Sequence, residues 1–345
     1  MKKMKKKLIL ALSLATALVL SACGSDGASS GQTGEAKGAN EEFTKVFDVS
    51  IPLGVDSHHD IGIQKFGEEL ERLTDGRLSV RTHYNNALGG EREVVEGMSI
   101  NSIDMGMSST GPLGGFVQDF FMFDLPYLIN DRAHAYAVLE SEIGDRLAEK
   151  LAETANVKVL GWMENGFRHN TNNIRPLNSP EDLRGINHRT QESEVQVDTW
   201  TALGANATPM AWPEVYTALQ QGVMDSQENP LPTIYDVKFF EVQKYLNLTQ
   251  HVYHPAPLLM SKVLFDSLSA ADQEAIMEAA AIATDVQREA SEQQEIEMKE
   301  KLAELGMTVT EPDLDLFREA VIPVYEKWAP RIGEDLIESV RNFDY

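Results

Sequence analysis

Strand-like and helix-like segments alternate along most of this chain, and that alternation constrains its fold more than any other feature. Residues 47–51 alternate apolar and polar side chains like a half-buried strand. Apolar residues then recur at helical spacing from Ile63 to Leu73, and a second alternating stretch covers residues 78–84. The order repeats near residue 91 and restarts near residue 157. Because 345 residues can form two cores, we expect two α/β lobes with a cleft between them.

A long helix is predicted near the C-terminus. Ser269 and Asp272 form a capping-box pattern, and an almost uninterrupted helix-favouring run continues to Gly306. Such a helix would be about 50 Å long, since each residue adds about 1.5 Å. We therefore expect it to lie across both lobes.

The N-terminus has the pattern of an export signal. Five lysines precede an apolar run over residues 8–20, which is short for a membrane span, and small residues follow. We predict a signal peptide at 1–22, lipid attachment at Cys23 and a flexible tether over 23–42, whose residues are mainly Gly, Ser, Ala and Asn. The alternative is an ordinary signal with an incidental cysteine. Cys23 is the only cysteine, which excludes an intramolecular disulfide.

The charge of the chain argues against nucleic acid as a partner. The formal net charge is −24, and loss of the signal lysines would make it more negative still. Phosphate backbones are bound by clustered Lys and Arg. A small anion remains possible as a ligand, because salt screens surface charges over about 8 Å.

The sequence offers no well-placed catalytic motif. It contains no P-loop, no His-Glu-x-x-His and no Gly-x-Gly-x-x-Gly. Its Gly-x-Ser-x-Gly match, at residues 27–31, lies in the predicted tether and not at a strand-to-helix turn. His58, His59 and Asp60 are adjacent, and adjacent side chains seldom share one metal ion. We expect a binding protein with no catalytic residue, metal or cofactor; a surface-anchored hydrolase or lyase is a rival hypothesis.

Two arginines and one loop are the candidate binding elements. Arg168 and Arg189 each lie where a predicted strand ends, and a guanidinium matches a carboxylate with two parallel hydrogen bonds. Ser109 and Thr110 precede a glycine-rich loop at another strand end, where open α/β sheets bind ligands. The alternatives are surface ion pairs for the arginines and a plain connection for the loop.

Six ordered segments resemble the TRAP-transporter solute-binding proteins of the DctP type. The resemblance extends from about residue 47 to residue 306 and is specific because the segments occur in order. They are Asn-Ala-Leu-Gly-Gly-Glu (86–91), Phe-Asp-Leu-Pro-Tyr (123–127), Glu-Asn-Gly-Phe-Arg-His (164–169), Pro-Met-Ala-Trp-Pro-Glu-Val-Tyr-Thr-Ala-Leu-Gln (209–220), Asp-Ser-Gln-Glu-Asn-Pro-Leu (225–231) and Lys-Phe-Phe-Glu-Val-Gln-Lys-Tyr (238–245).

The resemblance implies a periplasmic-binding-protein-like fold of two lobes and roles for particular residues. It implies that Arg189, after Asp-Leu-Arg-Gly-Ile-Asn-His (182–188), forms the ligand's carboxylate salt bridge. Arg168 and Asn229 would add contacts, and Trp212 would pack on the ligand where the family usually has phenylalanine. Ser109 and Thr110 match a variable contact stretch, and His58 matches an N-terminal contact only loosely. Residues 187 and 188 are more polar than is usual there.

The resemblance also implies boundaries and partners. The first lobe is expected over 43–165 and 254–290, and the second over 166–253 and 291–345. The ligand would be a small organic acid such as a C4-dicarboxylate or sugar acid, and a keto acid or aromatic acid would also suit two arginines. The partners would be small DctQ-like and large DctM-like membrane subunits, with the protein anchored outside the cell membrane. The alternatives are the binding component of an ABC-type importer and a ligand-presenting receptor for a sensor kinase.

Overall fold

The computed structural model describes residues 43–345. The predicted signal peptide, Cys23 and the predicted tether lie outside these described residues. No helix within residues 43–345 combines the length and apolar character needed to cross a membrane.

Strands and helices alternate through the described chain as the sequence predicts. The strands are β1 (Lys45–Ser50), β2 (Leu78–His83), β3 (Met105–Met107), β4 (Val157–Gly161), β5 (Glu164–Phe167), β6 (His169–Asn172), β7 (Asn187–Thr190), β8 (Asn206–Pro209), β9 (Ser226–Asn229), β10 (Tyr245–Asn247), β11 (Tyr253–Pro255), β12 (Leu258–Ser261) and β13 (Thr308–Thr310). The α-helices are α1 (His58–Leu73), α2 (Glu91–Ser99), α3 (Thr110–Leu113), α4 (Arg132–Leu139), α5 (Glu142–Ala155), α6 (Glu194–Ala202), α7 (Val215–Gln220), α8 (Leu231–Asp236), α9 (Lys262–Ser267), α10 (Ala270–Glu304), α11 (Leu314–Ala320), α12 (Ile322–Ile332) and α13 (Glu334–Arg341).

Two sheets form the centres of two lobes. The first lobe is built on the order β2-β1-β3-β12-β4, in which β1 is parallel to β2 and β3 and β12 is antiparallel to β3 and β4. The second lobe is built on the order β13-β10-β6-β9-β7-β8. There β7 is parallel to β8 and β9, and β6 is antiparallel to β9. The predicted two-lobed α/β fold is confirmed.

A two-stranded ribbon connects the lobes. Strand β5 follows β4 of the first sheet and precedes β6 of the second, and it pairs antiparallel with β11, which returns the chain to β12. Glu164 in β5 is fully buried and accepts hydrogen bonds from Tyr136, Tyr253 and Arg132. The bonds from Arg132 and Tyr136 fix the ribbon to α4, and the bond from Tyr253 joins its two strands.

The predicted long helix is α10, which spans 35 residues, or about 50 Å, and begins at the N-cap Ser269. Its first half contributes Ile276 and Ala280 to the core that contains Phe47 of the first sheet. Its second half contributes Met298 and Leu302 to a core of the second lobe. One helix therefore packs into both lobes.

The Ser-Pro-Glu-Asp segment at 179–182 has the sequence pattern of a helix N-terminus, but the helix that it opens is only one turn. Residues Pro180–Leu183 form a 3-10 helix with a capping box between Ser179 and Asp182. Gly185 then adopts φ +77°, a left-handed conformation that reverses the chain before β7 begins at Asn187. The capping residues at Ser179 and Asp182 therefore begin a helix, and the left-handed conformation of Gly185 prevents it from continuing.

The C-terminal helices contact residues from both halves of the chain. Trp328 in α12 donates a hydrogen bond to Asp198 in α6, and Tyr325 donates to the carbonyl oxygen of Pro126. The ring of His134 contacts the carbonyl oxygen of Val340 in α13 at 2.8 Å.

Candidate ligand-binding cleft

The predicted binding residues lie at the carboxyl ends of strands in both lobes. In the first lobe His58 follows β1, and Ser109 and Thr110 follow β3. In the second lobe Arg189 is the penultimate residue of β7, Trp212 follows β8 and Asn229 ends β9. Arg168 directly precedes β6. Since β6 runs antiparallel to β9, with His169 opposite Asn229, Arg168 lies at the same edge. Ligands of open α/β sheets bind at such edges.

The two edges touch each other. The indole Nε1 of Trp212 donates to the carbonyl oxygen of Pro52 at 3.2 Å. Gln191 in the second lobe donates to the hydroxyl of Ser109 in the first at 2.6 Å. The structure therefore brings the candidate residues of both lobes to one interface.

Arg189 is a buried cation with no acidic partner in direct contact. It is 2% exposed, and its Nε and Nη2 both donate to the carbonyl oxygen of Met210, at 3.0 and 2.7 Å. Its Nη1 is buried and has no hydrogen-bond partner. Burial lowers the pKa of Arg189 to about 10, so the group remains charged at neutral pH. A buried charge with an unused donor favours an anionic ligand.

Arg168 has a carboxylate partner within the protein. The fully buried guanidinium donates to both oxygens of the Glu228 carboxylate, and its Nη2 also donates to the Glu228 carbonyl oxygen at 2.8 Å. Burial alone would raise the pKa of Glu228, but the charge and hydrogen bonds of Arg168 and a hydrogen bond from His251 hold it well below its usual value. The Nη1 of Arg168 is unpartnered. Arg168 thus offers a donor without a net positive charge.

Trp212 and Asn229 complete the second-lobe side. The Trp212 ring centre lies 5.7 Å from the Arg189 guanidinium carbon, and the ring meets Phe239 edge to face at 5.8 Å. Asn229 is buried, and its Nδ2 donates to the side-chain oxygen of Gln227 at 2.6 Å. That bond fixes the orientation of the Asn229 amide.

The predicted first-lobe residues differ in whether their polar side-chain atoms already have hydrogen-bond partners. The Ser109 hydroxyl donates to Glu91 at 2.7 Å and accepts from Gln191, so both its roles are used. The Thr110 hydroxyl is buried without a partner. The Nδ1 of His58 contacts Gln287 at 2.7 Å, while its Nε2 is unpartnered. Burial, with the nearby charge of Arg132, lowers the pKa of His58 to about 3, so the ring is neutral.

Three residues at this interface were missed in the sequence analysis. Glu228 neutralises Arg168, Glu91 holds the Ser109 backbone and hydroxyl, and Gln191 joins the lobes. Glu228 lay in the Gln-Glu-Asn segment and Glu91 closed another segment of the resemblance, which was a usable signal. Glu91 is also the first residue of α2, where an acidic residue is expected for the helix dipole alone.

An open cavity of about 470 Å³ lies beside the Arg189 contact. Met210 and Ala211 line it together with Arg92, Phe121 and three glutamates, at positions 192, 194 and 214. Among residues 43–345, no group of three or more His, Cys, Asp or Glu side chains is placed to hold a metal ion.

Known proteins resemble this chain over most of its length. The family model DctP, described as bacterial extracellular solute-binding protein family 7, matches residues 53–331. The 2,3-diketo-L-gulonate-binding periplasmic protein YiaO of Escherichia coli is 35% identical over 83% of this chain and 88% of its own. A solute-binding protein of Verminephrobacter eiseniae is 41% identical over 85% of this chain and 88% of its own. The crystal structure of a TRAP periplasmic solute-binding protein of Polaromonas, bound to D-erythronate, is 39% identical with a TM-score of 0.85 and covers 87% of this chain and 99% of that one.

Proposed function

Because this chain belongs to the DctP family of bacterial extracellular solute-binding proteins, we propose that Arg189 holds the carboxylate of a small organic acid in its cleft. The protein is the extracytoplasmic solute-binding component of a TRAP transporter. The residues that select and hold the ligand are the subject of the proposal.

The observation that carries this proposal is the environment of Arg189. Its guanidinium is buried, its two bonded nitrogens share a neutral carbonyl oxygen, and its Nη1 has no partner. A buried charge without a counter-ion is unfavourable, and a bound carboxylate would supply the missing charge and acceptor. The ligand would thereby gain affinity from a group that the protein leaves unsatisfied.

The other predicted residues have subsidiary roles. The unpartnered Nη1 of Arg168 and the amide of Asn229 would bind oxygen atoms of the acid. Trp212 would cover one face of the ligand, and Thr110 and the Nε2 of His58 would add hydrogen bonds from the first lobe. Ser109 would act mainly by joining the lobes through Gln191. We propose no catalytic residue and no cofactor.

Delivery and location complete the proposal. Small DctQ-like and large DctM-like subunits would accept the ligand in the membrane, and Cys23 would carry the lipid that anchors the protein after removal of residues 1–22. The lobes would comprise 43–165 with 254–290 and 166–253 with 291–345. The matched proteins support the TRAP interpretation and lend no support to an ABC-type importer or sensor-kinase receptor.

Calorimetry with D-erythronate and 2,3-diketo-L-gulonate tests the site. One similar protein has a crystal structure with D-erythronate bound, and another is named as a 2,3-diketo-L-gulonate-binding protein. Replacing Arg189 by Ala should abolish measurable binding, because truncation of one partner of a buried charge pair costs about 2 to 5 kcal/mol. Arg189→Lys should also fail, because the planar fork is lost. The matched control is Arg184→Ala, whose side chain is 75% exposed and should be dispensable. Unchanged affinity in Arg189→Ala would remove Arg189 from the site.

A further inference from the structure

The charges around Arg189 carry information about the ligand itself. From them we infer that the ligand is a hydroxylated monocarboxylate, and that a second carboxylate on the same carbon chain is selected against. This inference rests on the proposed function, because it assumes that Arg189 holds the ligand's carboxylate. It restricts the expected ligand from organic acids in general to acids that carry a single carboxylate.

The buried charges around Arg189 balance before any ligand binds. Arg189 and Arg168 contribute two positive charges, and Glu228 contributes one negative charge in direct contact with Arg168. Glu91 contributes another: it is 8% exposed, and its Oε1 accepts two hydrogen bonds from Ser109. Within residues 43–345 no ion pair is formed by Glu91. One ligand carboxylate therefore already gives this group of side chains a net negative charge.

Other nearby basic side chains are either neutral or already paired with a carboxylate. Burial lowers the pKa of four histidines of the two lobes, so their rings are neutral; they are His58 in the first lobe and His169, His188 and His251 in the second. Arg132 is held by Glu164 and Glu295. Arg92 pairs with Glu96 at the surface, and the cavity beside it has a net negative lining because of its three glutamates. A second carboxylate would find no unpaired cation among these residues.

The unpartnered polar atoms of the first lobe suit ligand hydroxyl groups. Three buried side chains of the first lobe have unpartnered polar atoms: the Oγ1 of Thr110, the Nε2 of His58 and the Nδ2 of Asn86. Asn86 belongs to this edge, because its backbone N–H donates to the carbonyl oxygen of Ile51, directly before Pro52. All three are uncharged hydrogen-bonding groups. Ligand hydroxyls would satisfy them, whereas an alkyl chain would leave them unpaired.

Two matched pairs of acids test the inference by calorimetry. D-erythronate and meso-tartrate share a hydroxylated four-carbon chain with one or two carboxylates, and D-galactonate and galactarate are the corresponding six-carbon pair. We expect the monocarboxylate to bind at least about tenfold more tightly in each pair that binds, because like charges repel strongly where water is scarce. Hexanoate, which lacks hydroxyls, should bind at least about a hundredfold more weakly than D-galactonate.

Glu91→Gln provides the variant. The amide oxygen can still accept from Ser109, but one negative charge is lost, so the preference for monocarboxylate should fall by about threefold or more. Glu181→Gln is the control, because the Glu181 side chain is 78% exposed. This variant should prefer monocarboxylates to the same degree as the wild-type protein.

The outcomes separate the inference from the proposed function. A dicarboxylate that binds as tightly as its monocarboxylate partner, or an unchanged preference in Glu91→Gln, overturns the charge argument while leaving Arg189 as a carboxylate site. If the Arg189→Ala variant no longer binds that dicarboxylate, the proposed function is supported and the preference for monocarboxylates is not. Failure of all four hydroxy acids to bind the wild-type protein overturns the inference, and failure of 2,3-diketo-L-gulonate and hexanoate to bind as well overturns the proposed function.

Discussion

The indole of Trp212 in the second lobe donates a hydrogen bond to the carbonyl oxygen of Pro52 in the first, over 3.2 Å. The same ring lies 5.7 Å from the guanidinium carbon of Arg189. One side chain thus joins the lobes and covers the cation that we propose to hold the ligand. A phenylalanine at this position could not donate that hydrogen bond.

Replacement of Trp212 by Phe is therefore expected to weaken ligand binding by about three- to tenfold, mainly through faster dissociation, since one neutral hydrogen bond contributes about 1 kcal/mol. Stopped-flow measurement of association and dissociation rates checks this. Trp162→Phe is the control, at a half-buried tryptophan that packs on Phe120. An unchanged dissociation rate in Trp212→Phe would mean that the hydrogen bond to Pro52 does not limit opening.

Replacement of Glu228 by Gln is expected to destabilise the protein even without ligand. Both members of the Glu228–Arg168 pair are buried, and removal of one charge leaves the other uncompensated. The expected loss in the free energy of unfolding is about 3 kcal/mol or more. Urea denaturation measures it, with Glu181→Gln as the exposed control. A loss below about 1 kcal/mol would show that Arg168 finds another counter-charge.

The buried histidines predict a loss of stability in mild acid. Burial lowers the pKa of His58, His169 and His188 to about 3 from a usual 6.5, so the unfolded chain binds protons that the folded chain refuses. Their contribution is complete above about pH 6.5 and is lost as the pH falls towards 3, by about 1.4 kcal/mol per pH unit for each histidine.

Urea unfolding at several pH values between 7 and 4 checks this slope. His169→Gln should reduce it by about one histidine's share, because a glutamine can still accept from the backbone N–H of Gln250 and does not titrate. Equal slopes in the wild type and the variant would contradict the assignment of a buried neutral ring at this position.

The sequence predicted strands and the residues at their ends better than it predicted which side chains pair with each other. Strand patterns placed Arg189 and Ser109 at strand ends, and the structure brings both to the interface between the lobes. The pairing of Arg168 with Glu228 was not predictable in this way, because it depends on the register of β6 against β9, 60 residues apart in the chain. Local patterns determine where a strand ends, whereas pairing depends on long-range register.

Polar contacts across the cleft were unpredictable for the same reason. Gln191 and Ser109 are 82 residues apart, and nothing in either local segment indicates that they meet. The one-turn helix at Pro180–Leu183 is the converse case, since its capping residues are local in the sequence and Gly185 adopts a left-handed conformation directly after it.

Replacement of Gln191 by Ala is expected to open the cleft more readily. Its amide donates to Ser109 and accepts from Gln196, which in turn donates to Asp124, so its removal breaks a buried chain of hydrogen bonds between the lobes. Gln191 lies next to the strand that carries Arg189, but its hydrogen bonds do not involve the Arg189 guanidinium. We therefore expect the Gln191→Ala variant to lose about tenfold in ligand affinity, through a higher dissociation rate and with little change in the association rate. Gln293→Ala, on the exposed surface of α10, is the control. A fall in the association rate with unchanged dissociation would instead assign Gln191 to capture of the ligand rather than to closure.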